Sequence, residues 1–156
     1  MKRLPSVIIK AGLLAGTLDL SAAFLYFYIA TGKNPLFILQ YIASALLGQK
    51  ALEPQWTNYL LGFILHYCVA LLFTLLFFKA YPRIRLFHKN RLLTAVIYGA
   101  FVWCVMNLLV VPASQIGKFP GSLPGALINM VILMICIGLP LSFAATAFFT
   151  RSRRTQ

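Results

Sequence analysis

Asp19 is one of only two acidic residues in the chain, and it falls in the middle of residues 12–30, GLLAGTLDLSAAFLYFYIA, a segment otherwise suited to hydrocarbon. A carboxylate in that position is a functional candidate, because an isolated charge at mid-membrane costs about 2.5 to 3.5 kcal/mol on insertion scales. A bound proton or a partner offsets that cost. His66, inside the apolar residues 59–78, is the residue type best able to be that partner. Burial favours the neutral form of both groups, whereas their mutual attraction favours the charged forms. Either outcome gives a titratable pair whose proton binding can couple to helix movement, as in a small proton-linked transporter or channel. The alternative is a neutral hydrogen-bonded clasp joining two helices. Asn107 and Asn129 occupy two further apolar stretches and complete a candidate intramembrane polar site with one member per helix.

Other chemistries find less support. Ser21 or Ser44 with His66 and Asp19 supplies the residue types of a nucleophile, base and orienting acid, but no elbow glycines accompany them. Cys68, Cys104 and Cys136 are odd in number, lack CxxC spacing and fall in apolar segments, so they read as small buried side chains rather than a disulfide framework. A metal site combining them with His66 lacks ligand spacing. The expectation is a non-enzymatic protein with no catalytic residues, no metal and no cofactor.

The composition is 61% hydrophobic and 10% charged, with a mean hydropathy of +0.86, which places the chain among integral membrane proteins. Its net charge of +12 does not indicate a nucleic-acid partner, because the basic residues punctuate apolar segments instead of gathering on a solvated domain. They set topology and touch anionic headgroups. The expected partners are the lipid bilayer and a second copy or another membrane protein.

The predicted architecture is an all-α membrane protein, a bundle of four transmembrane helices forming one integral membrane domain over residues 1–156. The spans are expected at 7–30, 59–78, 92–111 and 126–149, with a short interfacial helix at 36–48 between the first two. Ser21-Ala22-Ala23 resembles a signal-peptidase site, but the apolar run continues to Ala30, so the segment reads as an uncleaved span. Gly12, Gly16, Asp19 and Ala23 recur at three- and four-residue steps, which places a small-residue packing stripe and the carboxylate on one face. Gly99 begins a similar stripe with Trp103, Met106 and Val110, and Asn107 lies about 80° around the helix from it. Asn34 and Pro35 open the interfacial helix, on which Gln40 and Ser44 form a narrow polar edge. Pro112 closes the third span, and Gly138 with Pro140 predicts a kink in the fourth. Counted inward at 1.5 Å per residue, Asp19 lies about 12 Å and His66 about 10 Å below the outer boundary, with Asn107 and Asn129 at about 8 and 5 Å.

Lys2, Arg3 and Lys10, the loop residues Lys79, Arg83, Arg85, Lys89 and Arg91, and the tail residues Arg151, Arg153 and Arg154 outnumber Lys33, Lys50 and Lys118 on the other side. The positive-inside rule therefore predicts both termini in the cytoplasm. The loop residues are candidates for setting topology or touching lipid headgroups. Gly32-Lys33-Asn34-Pro35 and Gly117-Lys118-Phe119-Pro120 share a GKxP pattern, and Gly62/His66 echoes Gly125/Asn129, as a parallel duplication would require. Chance recurrence of glycine patterns is the simpler account.

Five stretches, GLLAGTLDLSAA, TGKNP, QYIASALLG, HYCVALLFTLLFFKAYPRI and YGAFVWCVMNLLVVP, resemble a group of small bacterial inner-membrane proteins related to the YagU-like proteins. The longer polar segment in the first half of the larger YagU-like proteins is missing. The resemblance implies bacterial origin and a plasma-membrane location, and it transfers no activity or site residue. The expected role is therefore that of a multi-pass inner-membrane protein with a structural or partner-binding function, with proton-linked transport through Asp19 and His66 as the alternative.

Overall fold

The structure, a computed structural model, describes residues 4–116 and 122–153, with side chains described through Thr150. The chain is an all-α membrane-embedded bundle, and no strand occurs among the described residues. Four helices are long and apolar enough to cross a bilayer: α1 (Leu4–Thr31), α3 (Trp56–Ala80), α4 (Arg91–Ala113) and α5 (Leu123–Thr150). The shortest has 23 residues, which at 1.5 Å each gives about 34 Å against a hydrocarbon core of about 30 Å. The eleven residues of α2 (Phe37–Leu47) reach only about 17 Å, too short to cross. Each span runs beyond its expected bounds, because interfacial residues such as Trp56 and Lys79 continue the helix instead of ending it. The second GKxP stretch, Lys118, Lys2, Arg3 and Arg154 lie outside the described residues, as do the side chains of Arg151 and Arg153.

Local signals account for the ends. Gly32 adopts a positive φ of 66° that returns its N–H to the Tyr28 carbonyl at 2.8 Å and stops α1. The Asn34 side chain then accepts from the Leu36 N–H at 3.0 Å and turns the chain into α2. Asn90 caps α4 by accepting from the N–H groups of Leu92 and Leu93 at 2.8 and 3.3 Å.

The third span ends at Ala113, one residue after Pro112, and in both the third and fourth spans the proline is accompanied by an irregular turn. Pro112 lies inside the last turn of α4, and both Pro112 and Pro140 follow a single π-helical turn, Val105–Val110 and Met134–Gly138. A proline ring pushes away the carbonyl four residues before it and supplies no N–H. The helix accommodates this by taking in one extra residue: the N–H of Val111 reaches Met106, and that of Leu139 reaches Met134, five residues back in each case.

Three joints hold the elements together. In the first, Gly12 and Gly16 of α1 face Leu71, Thr74, Ala70 and Tyr67 of α3. In the second, α4 and α5 cross antiparallel in strict register. Ser142 Oγ donates to the Arg91 carbonyl at 2.8 Å, Gly138 meets the backbone of Ala95 one turn on, and Gly99 meets the backbone of Met134 one turn beyond that. In the third, Gly62 of α3 lies against the backbone of Leu39 and seats α2 on the bundle. Gln40 and Ser44 therefore face the protein, being 5% and 6% exposed, and bond to the carbonyls of Leu52 and Tyr41. At the basic end, Phe77, Phe78, Tyr81, Phe87 and Tyr98 form an aromatic core between the helices. Tyr98 donates to the Phe73 carbonyl, and Tyr81 bonds to Thr146 at 2.8 Å. Lys79, Arg83, Arg85, Lys89 and Arg91 are exposed around this end.

Candidate functional site

The buried face of α1 is built from Ala11, Gly12, Ala15, Gly16 and Leu20, whose small side chains bring α3 close. Asp19 lies at the edge of that face and is half-buried. Its carboxylate makes no hydrogen bond among the described residues, whereas nearly every other buried polar group is paired. The single sealed and unpartnered side-chain atom among the described residues is Nε1 of Trp103, so the Asp19 oxygens are not fully sealed.

His66 takes a different partner from the one its depth suggests. Its Nε2 donates to the Gly16 carbonyl at 2.8 Å, three residues before Asp19 on the same helix. One residue further along each helix, Thr17 and Tyr67 join their hydroxyls at 2.8 Å. The polar clasp between α1 and α3 is thus made by His66 and Tyr67, without the carboxylate. Asp19 remains within electrostatic reach of the His66 ring on α3 and of the Cys136 thiol on α5. Cys136 belongs to the π turn, so the carboxylate stands where α1, α3 and the irregular stretch of α5 converge.

That irregular stretch has its own chemistry. In a regular helix the carbonyls of Ile135 and Cys136 would accept from the N–H groups of residues 139 and 140. The Leu139 N–H is taken by Met134, and Pro140 has none. Two backbone acceptors of the π turn that packs against α1 are therefore deprived of their regular donors.

The other members of the predicted polar set are not hydrogen bonded to Asp19 or to one another among the described residues. Asn107 turns its amide back to the Trp103 carbonyl of its own helix at 3.1 Å. Asn129 is half-buried near the start of α5 and makes no side-chain hydrogen bond among the described residues. The halves also differ where a duplication would make them alike: Gly62 packs on the backbone of α2, while Gly125 meets the Ser122 and Tyr26 side chains. Of the packing residues, Gly12, Gly16 and Gly99 are buried at helix contacts and Ala23 is half-buried.

Ser21 is exposed and Ser44 bonds to its own helix, so neither engages His66. Cys68 and Cys104 are exposed on the helix surfaces and Cys136 is half-buried, and no trio of potential metal ligands converges among the described residues. Sequence reasoning missed the buried polar joints at Asn58, Thr94 and Ser142. Asn58 donates to the carbonyls of Lys50 and Glu53, Thr94 to those of Phe87 and Asn90, and Ser142 to Arg91. No protein-family model, curated protein or solved structure matches the chain.

Proposed function

We propose that this chain is a non-enzymatic, multi-pass protein of the bacterial plasma membrane, with both termini cytoplasmic, in which Asp19 binds and releases a proton to move α1 relative to α5. The supporting observation is that the carboxylate has no hydrogen-bond partner among the described residues while His66, its expected partner, is committed to Gly16. A clasp residue would be bonded, and here the clasp is complete without Asp19. An ionised aspartate only accepts hydrogen bonds and is repelled by the carbonyls of Ile135 and Cys136, whereas a protonated one can donate to them. Proton binding therefore changes the sign of the interaction between α1 and the π turn. Coupling to a transported solute would follow from that movement.

The test is proton flux through the full-length protein reconstituted into liposomes containing a pH-sensitive dye. Wild type is expected to carry a pH-dependent flux, and Asp19→Asn to abolish it while its helical circular dichroism is unchanged. Absence of flux in wild type, combined with a lower melting temperature for the variant in detergent, would overturn the proposal in favour of a structural role. A second reading, binding of another membrane protein or a second copy, is favoured by the outward surface of the spans. Only 28% of each apolar window is buried within the bundle. Cross-linking in native membranes distinguishes this reading by a specific adduct that depends on Asp19.

A further inference from the structure

At the end of the bundle opposite the basic loop, a cavity of about 260 Å³ is lined by Lys33, Asn34, Phe37, Gln40, Pro54 and Tyr59. It lies below the ~300 Å³ at which drug-sized ligand sites begin, so it suits a small polar group. Its lining is chemically ordered. Asn34 spends its side-chain oxygen on the Leu36 N–H, which leaves the amide NH₂ as a donor. Tyr59 and Lys33 make no side-chain hydrogen bond among the described residues, and they supply a hydroxyl and an ammonium. Gln40 is 5% exposed and gives its NH₂ to the Leu52 carbonyl at 2.9 Å, which leaves its oxygen as an acceptor. The cavity thus offers three donors, one of them positively charged, together with one buried acceptor.

Its position along the bundle narrows the ligand. Lys33 follows the last residue of α1 by two positions, and Tyr59 stands in the first turn of α3, so the opening lies at headgroup level. Phe37 stacks on Phe27 with ring centroids 5.8 Å apart and forms an apolar wall, continued by Pro54, along which an acyl chain can run. An ammonium at this level can bind a headgroup phosphate by a charge-assisted hydrogen bond.

We propose that this cavity holds the head of a membrane phospholipid, with the phosphodiester on Lys33, Asn34 and Tyr59 and an N–H or O–H of the headgroup donating to Gln40. The lipid would brace α2 against the ends of α1 and α3. This assignment is independent of Asp19.

The test is native mass spectrometry of the full chain released from detergent. The probes are phosphatidylethanolamine, phosphatidylglycerol, phosphatidylcholine and diacylglycerol with identical acyl chains. Phosphatidylethanolamine and phosphatidylglycerol are expected to be retained and diacylglycerol lost. Phosphatidylcholine, whose headgroup has no proton to give Gln40, is expected to bind more weakly. Lys33→Gln should weaken retention about fivefold to tenfold, as loss of one charge-assisted hydrogen bond does. Lys50→Gln, a change at an exposed lysine outside the cavity, should leave retention unaltered. Equal retention of diacylglycerol, or equal effects of the two lysine variants, would overturn the assignment. Displacement of the lipid by millimolar inorganic phosphate would also overturn it, reassigning the same donors to a soluble anion. Retention of phosphatidylcholine equal to that of phosphatidylethanolamine would remove Gln40 from the site.

Discussion

Replacing Gly99 by alanine tests whether α4 and α5 are held by direct approach of their backbones. A Cβ built on Gly99 overlaps Cα of Met134 and lies 2.7 Å from its N and 3.0 Å from the Leu133 carbonyl carbon. These are backbone atoms, so relief requires the two helices to separate. Overpacking costs about 1 to 3 kcal/mol, and a clash with backbone belongs at the upper end. Alanine regains about 1 kcal/mol over glycine in a helix interior, leaving a net loss of about 2 kcal/mol. For a chain of this size that corresponds to a fall of about 4 to 8 °C in melting temperature. Gly12→Ala is the matched control. Its Cβ would meet the Leu71 Cδ2 methyl at 2.7 Å and Thr74 Oγ1 at 3.0 Å, and a leucine methyl can rotate away. A cost of about 1 kcal/mol there is cancelled by the alanine gain, so melting should shift by less than about 2 °C. Adding Gly138→Ala to Gly99→Ala should cost less than the sum of the single changes, because the first substitution has already opened the shared joint. The assay is thermal unfolding in mild detergent, followed by helical circular dichroism and by recovery of the monodisperse peak. A Gly99→Ala protein that melts with wild type, or a Gly12→Ala protein that falls as far, would refute the distinction between backbone and side-chain approach.

His66→Leu keeps the volume but removes the bond to the Gly16 carbonyl, and should lower stability in detergent by about 0.6 to 1 kcal/mol, the usual worth of an interhelical hydrogen bond in a membrane. An effect of the same size from Asp19→Asn would show that the carboxylate shares the clasp after all. Pro140→Ala restores the N–H that the Cys136 carbonyl lacks, and amide hydrogen exchange across residues 135–141 should slow as the π turn relaxes. Unchanged exchange would show that the turn is imposed by the α4 contact and not by the proline.

The spans and the short α2 were legible because apolar length and flanking charge are local properties of the chain. The contacts of Gly12, Gly16 and Gly99 were legible for a related reason: small residues at helical steps mark where another backbone can approach. The polar set was less legible. The partner of His66 is a backbone carbonyl, which no residue type advertises, and it became available because Gly16 leaves α3 nothing to collide with. Asn107 lies inside the Val105–Val110 π turn, where an angle counted from Gly99 at 100° per residue no longer describes the helix face. The inward orientation of Gln40 and Ser44 depends on Gly62 admitting Leu39, a contact between elements that neither segment encodes alone.

Asp19 and the π turn of α5 gain meaning from being neighbours. Each is unfavourable alone: the carboxylate lacks a hydrogen-bond partner among the described residues, and the turn leaves two carbonyls without their regular donors. A regular α5 would consume those carbonyls internally, and a serine in place of Asp19 could donate to them whatever the pH. An aspartate can do so only while protonated. Under the proposed function, this pairing makes contact between α1 and α5 conditional on a proton, while the α1–α3 clasp through His66 and Tyr67 is left out of the switch. The fixed joints bear on that division: Gly138, two residues after Cys136, meets the backbone of Ala95 of α4, and α3 is tied to α4 by Tyr98 and to α5 by Tyr81, so the bulged stretch of α5 is anchored and the response to the proton falls to α1 where it meets the π turn.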